Sequence, residues 1–133
     1  MTMKEEPEWL EEATVLLFHQ RQLAEHGGIP GMRDENMFLS ALAKPQQLWC
    51  YGSPPPDLCQ LAAAYAYGLA KNHPFLDGNK RTAAIACETF LILNGRGFTI
   101  GEEQKYPVYL ALAAGEKSEE DYCTWLRQYT REL

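Results

Sequence analysis

Apolar positions recur at helical spacing along nearly the whole chain, and glycine and proline fill the interruptions. From about Pro7 to Glu25, Leu10, Ala13, Leu17 and Ala24 fall at helical intervals, and Gly27-Gly28 closes the run. Asp34 is placed to cap a second helix carrying Met37, Phe38, Ala41 and Leu42, which Pro45 is expected to break or kink. Gly52-Ser53-Pro54-Pro55-Pro56 predicts a loop, because a run of prolines cannot continue a helix. Asp57 opens an apolar helix through Leu58, Leu61, Ala62, Tyr65, Leu69 and Ala70. It ends near His73, since the residue before Pro74 is driven out of helical geometry. A further helix from about Asn79 to Asn94 is stopped by Gly95. Its Ala83, Ala84, Ala86, Cys87, Phe90, Leu91 and Leu93 make it apolar on most sides, the pattern of a helix at the centre of a bundle. Phe98-Thr99-Ile100 reads as a short extended piece. Helices near Glu103 to Ala114 and Glu119 to Glu132 complete the chain, the last opened by Ser118-x-x-Asp121 at capping-box spacing. The expected fold is all-α, a compact bundle of about six helices around a central apolar helix.

The 133 residues suffice for one domain with a real core, and residues 1–133 are expected to form it, with no repeat or linker dividing them. A net charge of −6 argues against a general nucleic-acid surface. No segment is long and apolar enough to span a bilayer, and Met1 to Glu6 carries no apolar run of signal-peptide type, so the expected compartment is the cytosol. Cys50, Cys59, Cys87 and Cys123 lack any paired or zinc-type spacing and are expected to be buried free thiols.

The chemistry concentrates in His73-Pro74-Phe75-Leu76-Asp77-Gly78-Asn79-Lys80-Arg81, where a loop becomes the central helix. Structural roles are open to several of these residues: His73 against a helix C-terminus, Phe75 as a core anchor, Asp77-Gly78 as a turn and Asn79 as an N-cap. Lys80 and Arg81 resist that account, because they occupy the positive end of a helix dipole, where cations are disfavoured. Two cations beside exposed helix N–H groups suit a bound anion, phosphate above all. Gly78 then permits close approach of the backbone to the ligand, and successive N–H groups form an anion nest. Asp77 is a hard oxygen ligand suited to Mg²⁺, Arg81 a bidentate phosphate clamp, and His73 a general base for an attacking hydroxyl. These are the parts that phosphoryl or nucleotidyl transfer requires.

The segment resembles the signature of the Fic/Doc superfamily, H-x-F-x-[D/E]-[G/A]-N-[G/K]-R, at every position, and resembles most the Doc (death-on-curing) toxin branch. Gly27-Gly28-Ile29-Pro30-Gly31 with Arg33-Asp34, the alanine-rich helix before His73 and Leu93-Asn94-Gly95 extend the likeness to about residues 10 to 130. The resemblance implies a Fic/Doc fold and an enzyme that uses ATP to modify a hydroxyl side chain of a target protein. By motif position, catalysis would fall to His73 as base, Asp77 as Mg²⁺ ligand and Arg81 on phosphate. Gly78 and Asn79 would form the anion hole, Lys80 and Arg81 would contact the nucleotide, and Phe75 would anchor the loop.

Lys80 separates the branches. Adenylyltransferases of the superfamily usually carry glycine there, whereas Doc-type enzymes carry N-K-R and hold ATP reversed, with the γ-phosphate presented. The resemblance therefore implies a translation-inhibiting kinase toxin, with elongation factor Tu as target by family precedent. Gly78 stands where the founding Doc has alanine, which keeps AMP transfer as the alternative; a non-catalytic nucleotide-binding module is the third. An inhibitory [S/T]-x-x-x-E-[G/N] motif is not met: the nearest match, Thr99 to Glu103, is followed by Gln104. Restraint in trans by a Phd-type antitoxin is the implied consequence, that partner and not this chain contacting DNA. Gln46 to Pro56 mixes aromatics and prolines, and reads either as a surface loop with Trp49 tucked into the core or as a target-docking flap.

Overall fold

A computed structural model describes residues 5–133. Its elements run α1 (Glu12–His26), α2 (Glu35–Tyr51), α3 (Leu58–Asn72), α4 (Asn79–Leu93), β1 (Arg96–Phe98), α5 (Glu102–Ala113), α6 (Glu119–Tyr129) and β2 (Thr130–Glu132). The fold is all-α, with six helices among the described residues and one small two-stranded ribbon. None of these helices is long and apolar enough to cross a membrane.

α3 and α4 share the centre. α3 starts at a complete capping box: Asp57 accepts from the Gln60 N–H, and the Gln60 side chain accepts from the Asp57 N–H. It buries Leu61, Ala62, Ala63, Ala64, Tyr65, Ala66, Leu69 and Ala70, the alanines allowing α2 and α4 to approach closely. α4 buries Ala83, Ala84, Ala86, Cys87, Phe90 and Leu91 against α3, α1 and α5. Burial pushes the Cys87 thiol up to about 12 and that of Cys123 up to about 11, which leaves both unreactive. All four cysteines are free, but Cys50 is exposed at the end of α2 rather than buried as its sequence suggests.

Five boundaries or faces depart from the sequence pattern. α1 begins at Glu12, not Pro7; the chain before it is extended, with Leu10 buried and its N–H bonded to the Tyr65 hydroxyl at 3.2 Å. The inward face of α1 is Val15, His19 and Gln22, while Ala13, Leu17 and Ala24 are exposed. α2 runs through Pro45 without stopping: Phe38, Ala41, Leu42 and Pro45 lie at i, i+3, i+4 and i+7, and burial of the ring on that face offsets the lost backbone bond. The extended piece falls at Arg96–Phe98, and its partner is the end of the chain. Arg96 lies opposite Glu132 and Phe98 opposite Thr130. The last helix stops at Tyr129 because that residue's carbonyl accepts the Thr99 N–H, and Arg96 holds the Thr130 hydroxyl at 2.6 Å.

Residues 46–51 belong to α2, and Trp49 packs against the core, as one of the two readings of that segment has it. The loop that follows borders a cavity with Pro7 and Asn94, away from the motif.

α5 is tied to α4 by Lys105, whose ammonium lies 3.0 Å from Glu88, 2.8 Å from Glu102 and 4.8 Å from the Phe98 ring centroid. Burial disfavours that charge, but the two carboxylates outweigh it and hold Lys105 above the ordinary lysine range. This tie fixes the helix that carries Tyr106.

Candidate active site

The site is built where α3 ends. Pro74 denies His73 a right-handed helical conformation, and His73 takes the left-handed one instead, φ 52° and ψ 53°. Holding a non-glycine residue there costs on the order of 1 kcal/mol and needs support. Arg33 supplies it. Its Nε donates to the His73 carbonyl and its Nη2 to the Asn72 carbonyl, both at 2.7 Å, satisfying two exposed acceptors at the helix C-terminus. The Pro74 carbonyl accepts from the backbone N–H groups of Arg33 and Asp34. The result turns His73 out of the helix, exposed on the rim of a cleft.

Phe75 goes the other way. It is 2% exposed, with its ring 3.7 Å from the His19 ring, nearly parallel at 9°, and 5.5 Å from Phe38. Its backbone pairs with Met32 in an antiparallel bridge, and the Leu76 N–H bonds to the Gly31 carbonyl. The Gly27-to-Gly31 loop, for which the sequence pattern suggests no role, is therefore the lateral support of the motif.

Asn79 is 3% exposed, and its amide is spent on that backbone, Oδ1 accepting the Phe75 N–H and Nδ2 donating to the Phe75 carbonyl, each at 2.9 Å. Asn79 is thus a brace. What it offers an anion is its backbone N–H, which at the first position of α4 has no carbonyl within the helix to bond. Gly78, in place of Asn79, is the N-cap, with φ 78° and ψ 15°.

The Asp77 carboxylate is exposed; Oδ1 accepts the Gly78 N–H at 2.9 Å and Oδ2 the Ile29 N–H at 3.2 Å. Gly28 lies against it: a Cβ there would stand 2.9 Å from Oδ2 and 2.8 Å from Leu23, on a backbone with φ 132°. Gly28→Ala is expected to destabilise the protein by about 1–3 kcal/mol and to displace Asp77. Thermal unfolding of the variant checks this, and an unchanged midpoint would show that the loop yields freely.

Lys80 and Arg81 are both exposed in the first turn of α4, which contains no acidic residue. Arg81 donates to His26 Nε2 at 3.3 Å, and its guanidinium lies 5.2 Å from the Tyr106 ring centroid, so it is held between α1 and α5.

His73, Asp77, Gly78, Asn79, Lys80 and Arg81 line one cleft of about 490 Å³, together with Gln22, His26, Gly27, Gly28 and Tyr106. All six residues predicted from the sequence are brought together. A second, more apolar cavity of about 340 Å³ adjoins it, sharing Gln22, His26, Lys80, Arg81 and Tyr106; it adds Phe18, Ala84, Ile85, Tyr109 and Leu110, with Arg21, Glu25 and Glu102 at its charged edge. His73 and Asp77 border the first cavity alone. Three other residues near the motif lie elsewhere. Tyr65 is fully buried, the Asn72 amide bonds to the Met37 carbonyl, and Tyr67 lines a separate cavity.

Among the described residues no three His, Cys, Asp or Glu side chains are grouped to cage a metal ion. Asp77 alone suits Mg²⁺, which binds through one or two carboxylates and otherwise keeps water and substrate phosphates.

The Fic/DOC family model matches residues 9–91, from just before α1 to near the end of α4. The chain belongs to the Fic/DOC family. It is 44% identical over 69 residues to Toxin Doc of Mycolicibacterium smegmatis, covering 52% of this chain and 53% of the relative. It is 32% identical over 81 residues to Protein kinase doc of Escherichia phage P1, covering 61% of this chain and 64% of that protein. The matched region thus spans between about half and two-thirds of each relative. Both of these relatives carry the name Doc.

His19, Gln22, His26, Gly28, Arg33 and Tyr106 are the site residues that the motif does not reveal. The first three had a signal: they are polar residues at i, i+3 and i+7 of α1, His19 and Gln22 on its buried face and His26 exposed at its end beside the cleft. Tyr106 had none, since only the packing of α5 brings it to Arg81.

Proposed function

We propose that this protein is the toxin of a toxin–antitoxin pair and transfers the γ-phosphoryl group of ATP to a hydroxyl side chain of a target protein. Elongation factor Tu is the target by family precedent, with inhibition of translation as the outcome and the cytosol as the place of action. The observation that carries this reading is the order of groups along the cleft. Its apolar half lies beyond Lys80 and Arg81, while His73 and Asp77 border only the polar half. A nucleoside in the apolar half would set its phosphates at Lys80 and Arg81, which line both halves, with the terminal one directed to the polar half that His73 borders. That polarity favours phosphoryl over AMP transfer.

In this reading His73 accepts the proton of the attacking hydroxyl. The backbone N–H of Asn79 and the first turn of α4 face the transferring group, where charge develops in the transition state, while the Gly78 N–H is taken by Asp77 Oδ1. Arg81, steadied by His26 and Tyr106, grips non-bridging phosphate oxygens without having to be ordered first. Asp77 would hold Mg²⁺, which when bound would neutralise charge on the phosphates. An antitoxin of Phd type is the proposed partner.

AMP transfer remains the second reading, because Gly78 stands where the founding Doc has alanine. Purified elongation factor Tu incubated with the protein, ATP and Mg²⁺ should gain the mass of one phosphoryl group. A gain of one AMP group would select the second reading, and no gain would remove this target. Lys80→Gly is expected to slow phosphoryl transfer by about 10- to 100-fold, the loss expected for one hydrogen bond to a charged group, and to open AMP transfer. Unchanged phosphoryl transfer in that variant would remove Lys80 from the account.

A further inference from the structure

We infer that His19, which lies outside the motif, is a positioning residue that sets the orientation of the Asp77–Gly78 peptide and through it the Asp77 carboxylate. The inference rests on the nucleotide site proposed above. His19 is 5% exposed and reaches the motif from α1, far from it in sequence. Its Nε2 lies 2.8 Å from the Asp77 carbonyl oxygen. A carbonyl can only accept, so Nε2 carries the proton. Its ring lies flat on Phe75, and a Cβ on Gly78 would stand 3.5 Å from it.

A trans peptide is planar, with C=O and N–H pointing to opposite sides. By drawing the Asp77 carbonyl into the core, His19 turns the Gly78 N–H toward the cleft. Asp77 Oδ1 accepts that N–H at 2.9 Å, so the carboxylate is oriented by the same peptide plane. Gly78 has φ 78° and no Cβ, so apart from the exposed Asp77 carboxylate no side chain of the loop restrains this peptide against rotating. Asn79 and Met32 fix the backbone at Phe75, and Ile29 reaches only the Asp77 side chain. His19 therefore holds the peptide that joins Asp77, the residue proposed to hold the metal, to the first turn of α4. A histidine that merely filled the core would act through its ring stack alone.

The two roles separate in a pair of variants. His19→Phe keeps the stack and loses the donor, whereas His19→Gln keeps a donor and loses much of the stack. The measurements are magnesium–ATP affinity by titration and the Gly78 amide position in proton–nitrogen correlation spectra. In His19→Phe the Gly78 amide should move and magnesium–ATP should bind about tenfold more weakly, equivalent to roughly 1.4 kcal/mol. His19→Gln should recover most of the affinity. A Gly78 amide unmoved in His19→Phe, or a loss in His19→Gln as large as in His19→Phe, would overturn the inference. Should His19→Phe not fold, the glutamine variant decides by the same two readings. If the wild-type protein binds no nucleotide, the functional proposal fails and the Gly78 amide alone judges His19.

Discussion

His73→Ala abolishes target modification, with an expected loss on the order of a hundredfold to ten-thousandfold, and leaves the fold intact. Both halves of that expectation come from the same geometry. The His73 ring is exposed on the cleft rim, and among the described residues it forms no hydrogen bond or ion pair that its removal would break. Its carbonyl, which Arg33 holds, remains in the variant. The backbone at φ 52° is the only structural demand at this position. His73→Asn makes a useful companion, because asparagine tolerates left-handed geometry well. Rates for both variants with a modified target, beside their thermal unfolding, give the test. A folded alanine variant with near wild-type rate would remove His73 as the base.

Phe75→Ala produces the largest change in stability, a loss of about 3–5 kcal/mol, typical of a buried aromatic truncated in a core. That is a large share of the roughly 5–15 kcal/mol by which a domain of this kind is stable. The ring joins three elements: His19 of α1 on its face, Phe38 of α2 at its side and the motif backbone that bears it. Removing it leaves a hole under the loop that presents His73 and Asp77, so nucleotide affinity should fall with stability. Phe75→Leu should lose appreciably less. Denaturant unfolding of both variants provides the comparison, and a loss under about 1 kcal/mol for alanine would contradict the anchoring role, given the usual range for such truncations.

The helical order and the core of α3 and α4 were legible because apolar spacing, caps and breakers agree there. Asp57, Pro74 and Gly95 each stop or start an element for a local reason. Pattern failed where tertiary contacts decide. Pro45 stays inside α2 because its ring is buried, and Tyr129 ends α6 because a strand pairs with the residues that follow. In α1 the apolar positions pointed to the wrong face, since the face turned inward serves the motif and carries His19 and Gln22. The six motif residues were legible at the site because a short loop and one helical turn keep neighbours in sequence near in space. The role of Asn79 was legible only in part: its side chain braces Phe75, and its backbone faces the cleft. Gly28 and Arg33 were legible only as part of the family likeness; that Arg33 holds the carbonyls of Asn72 and His73, and that Gly28 makes room for the Asp77 carboxylate, depends on contacts between segments distant in sequence.

The most direct test of the central claim is label transfer from ATP into a bacterial lysate, with the α- and γ-phosphates labelled in parallel reactions. A protein band labelled from the γ-position alone, and lost in His73→Ala, is the predicted result. A band labelled from the α-position would contradict phosphoryl transfer and establish AMP transfer on this scaffold.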